Sequence, residues 1–414
     1  MSTSSEPLTA SSRWSRTIRS LHHRNFRIYW SGQVVSQVGT WMQIVAQGWV
    51  VYALTDSPLM LGLVTFAALL PVLPISLIAG VLSDRYSRKS LMMVTESVLM
   101  LQAFAMAALI WLDVIQIWHI ILLSFILGAA AAMEQPARLA IVADIVGDDD
   151  LSNAIALNSG GNNTARIIGP SIAGLLIAAY GSAACFMLNG FTYLVFILAL
   201  FAIRLGGQPQ VSGKLRFVGS LTDGFKYILQ SKVILGLLFI ISVASFLTIP
   251  YIALMPVFAK DILQVGADGL GFLMTAVGVG AILGALLVAY LQPGRRGIWL
   301  MIANVVGPLF LIIFSISGML PLSLLFVVLV GASNAIRLTL ANSLAQLNAA
   351  KEYHGRVMSI FNLLFNGMSR VGALFIGGFA ELTDIAWALG ISAAASAIIG
   401  LVIICRLPQV RQLP

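Results

Sequence analysis

Long apolar runs recur along the chain, for example Leu59 to Leu82 and Leu91 to Leu112, with short polar stretches between them. A helix that crosses a bilayer needs roughly 20 mostly apolar residues. On that criterion the pattern predicts about twelve spans, near 28–54, 59–82, 90–112, 117–139, 157–180, 184–203, 234–258, 269–291, 298–319, 322–344, 357–380 and 384–405. No run needs to be read as the core helix of a soluble domain. The expected fold class is all-α and integral to a membrane.

Composition strengthens that picture. Of the residues, 59% are hydrophobic and 10% charged, whereas a soluble domain carries about 25% charged residues. Charge placement then orients the spans. With the N-terminus inside, the even-numbered connections carry Arg85, Arg88 and Lys89, then Arg204, Lys214, Arg216, Lys226 and Lys232. Arg295 and Arg296 follow, then Lys351 and Arg356. The opposite connections, among them Thr55-Asp56-Ser57-Pro58 and Lys260 to Asp268, hold a single basic residue, Lys260. Cytoplasmic loops collect Lys and Arg, so both termini are expected in the cytoplasm. The surrounding bilayer would be the plasma membrane, or the inner membrane in a bacterium.

Residues 1–27 contain Arg13, Arg16, Arg19, Arg24 and Arg27 and no apolar segment before Tyr29, which reads as a cytoplasmic tail and not a cleavable signal. Residues 406–414 form a second tail. The net charge of +8 is accounted for by such flanks without invoking nucleic acid. The longest polar connection, 205–233, separates 28–204 from 234–405. Its piece from Leu221 to Leu229 places Phe225, Ile228 and Leu229 on one side, as an interfacial helix does. Arg138 and Arg166 flank the fourth connection as Arg337 and Arg370 flank the tenth, and Leu61-Gly62 has a counterpart in Leu270-Gly271. Two parallel six-helix halves are one transporter plan. Cys185 and Cys405 lie in or beside different spans and are expected to pack, not to pair.

After the second span the chain reads Gly80-Val-Leu-Ser-Asp84-Arg85-Tyr-Ser-Arg88-Lys89. This resembles the signature of the major facilitator superfamily between helices 2 and 3, and the likeness extends over about 20–406. The residue types suit a gate. Gly80 permits close backbone approach, Asp84 can face a helix N-terminus, and Arg85 and Arg88 can hold carboxylates in forked geometry. Plain positive-inside anchoring would suffice for Arg88 and Lys89. The resemblance implies that Asp84 and Arg85 help close the cytoplasmic side in an outward-facing state, with Asp144 a candidate partner. It also implies twelve helices in two pseudo-symmetric halves.

A finer likeness lies in Arg24-Asn25-Phe26-Arg27-Ile28-Tyr29-Trp30, Gly32-Gln33 and Val38-Gly39-Thr40-Trp41-Met42-Gln43. Gln135-Pro136-Ala137-Arg138 and Asn153-Ala154-Ile155-Ala156-Leu157-Asn158 add to it. These resemble a bacterial exporter branch that includes macrolide efflux and enterobactin export proteins. Arg166-Ile-Ile-Gly169-Pro170 with Gly174 resembles the helix-5 motif associated with antiporters, although its earlier glycines are imperfect. The Arg-x-x-Gln-Gly motif of many drug–proton antiporters is missing, since that region reads Gly128-Ala-Ala-Ala-Ala-Met133.

At about 100° per residue, Gln33, Ser36, Gln37, Thr40, Gln43 and Gln47 fall within about 120° on the first span. A polar stripe in a membrane must face protein or water, so these residues line a cavity or bond to neighbouring helices. In the resembled fold the first, fourth, seventh and tenth helices line the cavity. Glu134 and Arg138 are spaced for an intrahelical pair; Glu134 is either neutralised there or carries a proton or cation. Glu96 is expected to support the Asp84 loop. Arg166, Arg337 and Arg370 would snorkel or pair, with Arg337 an alternative contact for an anionic substrate. Gly280, Gly284, Gly372, Gly377 and Gly378 permit close helix packing.

No phosphate loop is present, and neither His-Glu-x-x-His nor Gly-x-Ser-x-Gly occurs, so an enzyme is not expected and no cofactor is implied. The expectation is a secondary active exporter of amphipathic small organic molecules, working by alternating access, proton coupled and functional as a monomer. The alternative is a dedicated exporter of one siderophore, metabolite or lysolipid.

Overall fold

The computed structural model describes residues 19–204, 226–291, 294–406, 408–411 and 413, and among them no strand occurs. Helix α1, Arg24–Thr55, ends at Asp56, whose backbone is left-handed with φ 47°. Ser57 then caps α2, Pro58–Ala67, by accepting from the Met60 N–H at 3.3 Å. Proline at the first helical position costs no hydrogen bond, so the Asp-Ser-Pro turn reverses the chain in minimal length. A turn separates α2 from α3, Val72–Arg85. The predicted second span is thus two helices. Pro71 and Pro74 lack the N–H that would continue the ladder.

Ser87 caps α4, Arg88–Trp111. The next element, α5, Ile117–Tyr180, runs for 64 residues through what the sequence suggests is a loop. Its interior break is Gly147, at φ 71° and ψ 177°, a conformation that side chains resist. The acidic Asp148-Asp149-Asp150 run therefore begins the second arm and is not a linker. Helix α6 covers Ser182–Ala202 and α7 Lys232–Leu247. The chain continues through a turn at Ile249–Ile252, α8 at Met255–Val257 and a wide turn at Phe258–Ile262. Then come α9, Gly266–Tyr290, α10, Arg296–Ser315, and α11, Leu320–Asn348. The last are α12, His354–Leu382, α13, Ile385–Arg406, and α14, Pro408–Arg411.

Among the described residues, nine helical segments are long and apolar enough to cross a membrane. The three expected spans outside that set are helical but more polar or broken. The first carries the glutamine stripe, the second is divided, and the fifth carries Asn158, Ser159, Asn162 and Asn163. The chain is a multi-pass membrane protein. Most of the proposed interfacial helix, including Phe225, lies outside the described residues. The segment from 226 onward is packed: Tyr227 stacks on Tyr353 with ring centroids 4.1 Å apart, and Ile228 is buried.

Of the four apolar clusters among the described residues, three organise the interior. One, containing Phe26, Met92, Ile141 and Phe196, draws only on elements before residue 204. A second, containing Ile234, Leu300, Leu340 and Phe361, draws only on elements after residue 226. The largest joins the two sets through Val51, Leu61, Leu270, Phe314 and Ile376. The shared cluster lies toward the face that the charge pattern assigns to the outside. There Tyr52 donates to Asp261, Lys260 pairs with Asp56, and Glu381 accepts from Ser57 Oγ at 2.8 Å and the Leu59 N–H at 3.4 Å.

Close helix contact completes that seal. A Cβ on Gly174 of α5 would fall 2.9 Å from the Gly271 Cα of α9. At the opposite face, polar positions stay exposed on both sets, namely Ser152, Ser159 and Asn162 on α5 and Ser359, Asn362 and Asn366 on α12.

Candidate functional site

The stripe on α1 divides between two roles. Gln43 donates to Gln102 at 3.0 Å and accepts from Asn189 at 2.6 Å, which ties α1 to α4 and α6. Thr40 meets Tyr193 at 3.2 Å, and Gln47 donates to Ser124 at 3.1 Å. In apolar surroundings such bonds lock helix positions. Gln33 Oε1 is buried without a partner, and Gln37 is half-buried.

About one helical turn before Gln33, beside Tyr29, is a charge cluster. Arg138 donates Nε to Glu134 Oε1 at 2.9 Å, and its Nη2 reaches both Glu134 Oε1 and Glu96 Oε1, the latter at 3.1 Å. Glu134 and Arg138 are one turn apart on α5, so helix geometry supplies that contact. Glu96 comes from α4 and is fully buried. This corrects its expected role: Glu96 faces the bundle interior and binds Arg138, because burial of a carboxylate requires a cationic partner. The guanidinium also lies over the Phe196 ring, 5.8 Å from its centroid. Two carboxylates share one guanidinium, and Glu96 Oε2, Arg138 Nη1 and Tyr29 Oη are buried without partners. With both acids ionised, the cluster carries one uncompensated negative charge.

A second polar centre lies where the two sets of helices meet. Arg337 of α11 is 1% exposed. Its Nη2 donates to Thr248 Oγ1 at 3.0 Å and to Asn334. Arg166 of α5 lies over Trp41, 5.7 Å from the ring centroid, and Trp41 donates to Asn162 at 3.4 Å. Gly169 fits against the Trp41 Cβ and the Val38 carbonyl, Pro170 lies within α5, and the Pro170 carbonyl faces Gly271.

At the end that the charge pattern assigns to the cytoplasm, Arg88 pairs with Asp144 and Lys89 donates to the carbonyls of Phe201 at 3.2 Å and Ile203 at 2.7 Å. Lys89 thereby satisfies the C-terminus of α6, where the helix dipole favours a cation. Gly80, Asp84 and Arg85 fall toward the end of α3, and the side chains of Asp84 and Arg85 lie outside what is described. Cys185 is buried with its thiol toward the Ala173 carbonyl at 3.7 Å, and no group of metal-binding side chains occurs among the described residues. Sequence reasoning missed Gln102, Asn189, Thr248, Tyr251 and Asn334. Each is a polar residue in an apolar stretch, which was the available signal.

The described residues thus form a bundle of apolar helices with polar and ionic centres at its middle. Residues 15–413 match the family described as transmembrane secretion effector, and the chain belongs to that family of the major facilitator superfamily. It is 28% identical to the enterobactin exporter of Escherichia coli O1:K1 over 353 residues, 81% of this chain and 80% of that protein. To macrolide efflux protein A of Streptococcus pyogenes it is 22% identical, over 86% and 89% of the two chains. To the staphyloferrin A transporter of Staphylococcus aureus it is 25% identical, over 63% and 66%. Among solved structures, the nucleoside transporter NupG superposes with a TM-score of 0.75 at 12% identity, over 92% of this chain and 98% of that one.

Proposed function

We propose that the chain is a secondary active exporter of amphipathic small organic molecules, with twelve spans in two halves that rock about a site near the midplane. The observation that carries this reading is the uneven contact between the halves. A shared apolar cluster and four polar contacts join them at the outer face. At the inner face each half keeps its own core. That unevenness fits an inward-open state with both termini cytoplasmic. Export, as opposed to uptake, is supported by the relatives' names, and a plasma-membrane location accords with it.

Proton coupling fits the Glu96–Glu134–Arg138 cluster, because its surplus carboxylate offers a place for one proton inside the span. Gln33 and Gln37 would meet the solute, the Asp84 motif would close the inner face in the opposite state, and one chain suffices. A dedicated exporter of one siderophore is the second reading, favoured by the two relatives named for siderophores.

The test is accumulation by inside-out vesicles under an imposed pH gradient, with dye cations, a macrolide and a catecholate siderophore. Wild type is compared with Glu96→Gln, Glu134→Gln and Asp84→Asn. Gradient-driven uptake of unrelated compounds, lost in either glutamine variant, is expected. Uptake of one compound alone selects the dedicated exporter. Transport indifferent to pH and to both glutamates rejects the coupling site.

A further inference from the structure

The described spans hold charged side chains away from their ends at Glu96, Glu134, Arg138, Arg166, Arg337 and Arg370. Both carboxylates are occupied by Arg138. Among the described residues, Arg166, Arg337 and Arg370 have no ion-pair partner. From residue 232 to residue 406 every acidic residue, Asp261, Asp268, Glu352, Glu381 and Asp384, lies at a helix end or in a connection. Guanidinium does not give up its proton in proteins, so these charges persist. The imbalance is positive, and it is concentrated at the junction of the two halves.

Two of the three arginines converge there. Tyr251, fully buried in the turn after α7, lies within electrostatic reach of both Arg166 and Arg337 and beside Asn334. Its hydroxyl, the Asn334 Nδ2 and the Arg337 Nη1 make no well-formed hydrogen bond. These donors come from the turn after α7 and from α11, with Arg166 facing them from α5. The Arg337 Nη1 is left unsatisfied and the Tyr251–Asn334 contact is poorly formed, and unmade bonds are costly away from water. A carboxylate or phosphate would satisfy them together, since a forked guanidinium matches a planar or tetrahedral oxyanion. A cation would meet like charge. Arg370 adds to the positive field from α12, where it continues the exposed polar face of Asn362 and Asn366.

We infer that the Arg166–Tyr251–Arg337 junction binds the anionic group of the solute, so that among the exported molecules amphipathic organic anions are held more tightly than organic cations. The inference rests on the exporter reading and narrows its substrate class. The binding energy comes from replacing a site that lacks a counter-charge with one that has it. Trp41, stacked on Arg166, offers an apolar face beside the anion for the rest of an amphipathic molecule.

The test is equilibrium binding to the full chain in nanodiscs, independent of transport. The probes are citrate and 2,3-dihydroxybenzoate as anions, triethyl citrate as a neutral counterpart and tetraphenylphosphonium as a cation. Saturable binding of an anion is expected, weakened at least tenfold in Arg337→Gln and in Arg166→Gln and partly regained in Arg337→Lys. Arg166 is half-buried, so its variant keeps the test open if Arg337→Gln fails to fold. Discs of phosphatidylcholine and of phosphatidylglycerol separate the sources: competition by phosphatidylglycerol makes the anion a lipid headgroup, and its absence makes it a soluble molecule. Preference for tetraphenylphosphonium, absence of anion binding, or equal affinity in wild type and both glutamine variants overturns the inference. Vesicles that export cations while anions fail to bind would leave the exporter reading standing; vesicles that export nothing would remove it.

Discussion

Replacing Arg138 with Met tests the charge cluster directly. The guanidinium is the ion-pair partner of Glu96, fully buried, and of Glu134, 3% exposed. Breaking a buried pair by removing one partner costs about 3–5 kcal/mol, because the remaining charge stays buried. Arg138 serves two such charges, which places Arg138→Met at the upper end of that range. Glu96→Gln keeps an acceptor for Nη2 and removes the surplus charge, so its cost should stay below about 1 kcal/mol. The triple variant Glu96→Gln, Glu134→Gln, Arg138→Met leaves no charge and should recover most of the loss. Unfolding of purified protein at fixed detergent and lipid, followed by tryptophan fluorescence, gives the order. Wild type and Glu96→Gln should unfold last, the triple variant next and Arg138→Met first. An Arg138→Met protein as stable as wild type, or a triple variant no better than the single, would refute the reasoning.

Further perturbations address the contacts between halves. Gly174→Leu would drive a side chain into the Gly271 backbone and the Ala267 and Asp268 carbonyls, which a Cβ alone would approach to 3.2 Å. Overpacking costs about 1–3 kcal/mol; in the proposed rocking cycle that cost falls only on the outer-closed state, so a cysteine placed at Asn362 should react more slowly with maleimide. Lys260→Gln should alter stability by less than about 1 kcal/mol, because the Lys260–Asp56 pair is exposed to solvent; a larger drop in unfolding temperature would contradict that ranking. Thr40→Val removes the bond to Tyr193 and should cost about 0.6 kcal/mol, the usual worth of an interhelical bond in a membrane protein. Cys185, fully buried, should resist N-ethylmaleimide in the folded protein and react after denaturation, as mass spectrometry would register.

Helix positions were legible because a span announces itself locally: an apolar run of sufficient length has few other uses. The Glu134–Arg138 pair was legible for the same reason, since helix periodicity brings those side chains together. Glu96 was not. Its position near a basic loop suggested a local role, whereas its partner comes from another helix and is set by packing. The α5 arm at 148–156 looked like a connection because acidic and amide residues have low helix propensity, yet packing along α1 and the Arg19 and His23 contacts to Asp150 hold it in place. Tyr52 and Asp261 are 209 positions apart, and no local pattern joins residues at that separation. The uncompensated arginines were visible as residues, but their lack of an ion-pair partner among the described residues is a property of the packed bundle.

The length of α5 has a mechanical consequence. Most successive membrane helices are joined by slack that lets one tilt without moving the next. Here the helix that carries Glu134 and Arg138 passes through one residue, Gly147, into the helix that carries Arg166 and Gly174. A tilt of the first arm can be absorbed only by two torsion angles or transmitted as a lever stroke to the second. The ion pair at one end of this element and the close helix contact at the other therefore share one link, and the resistance of Gly147 to twisting sets how much of the stroke arrives.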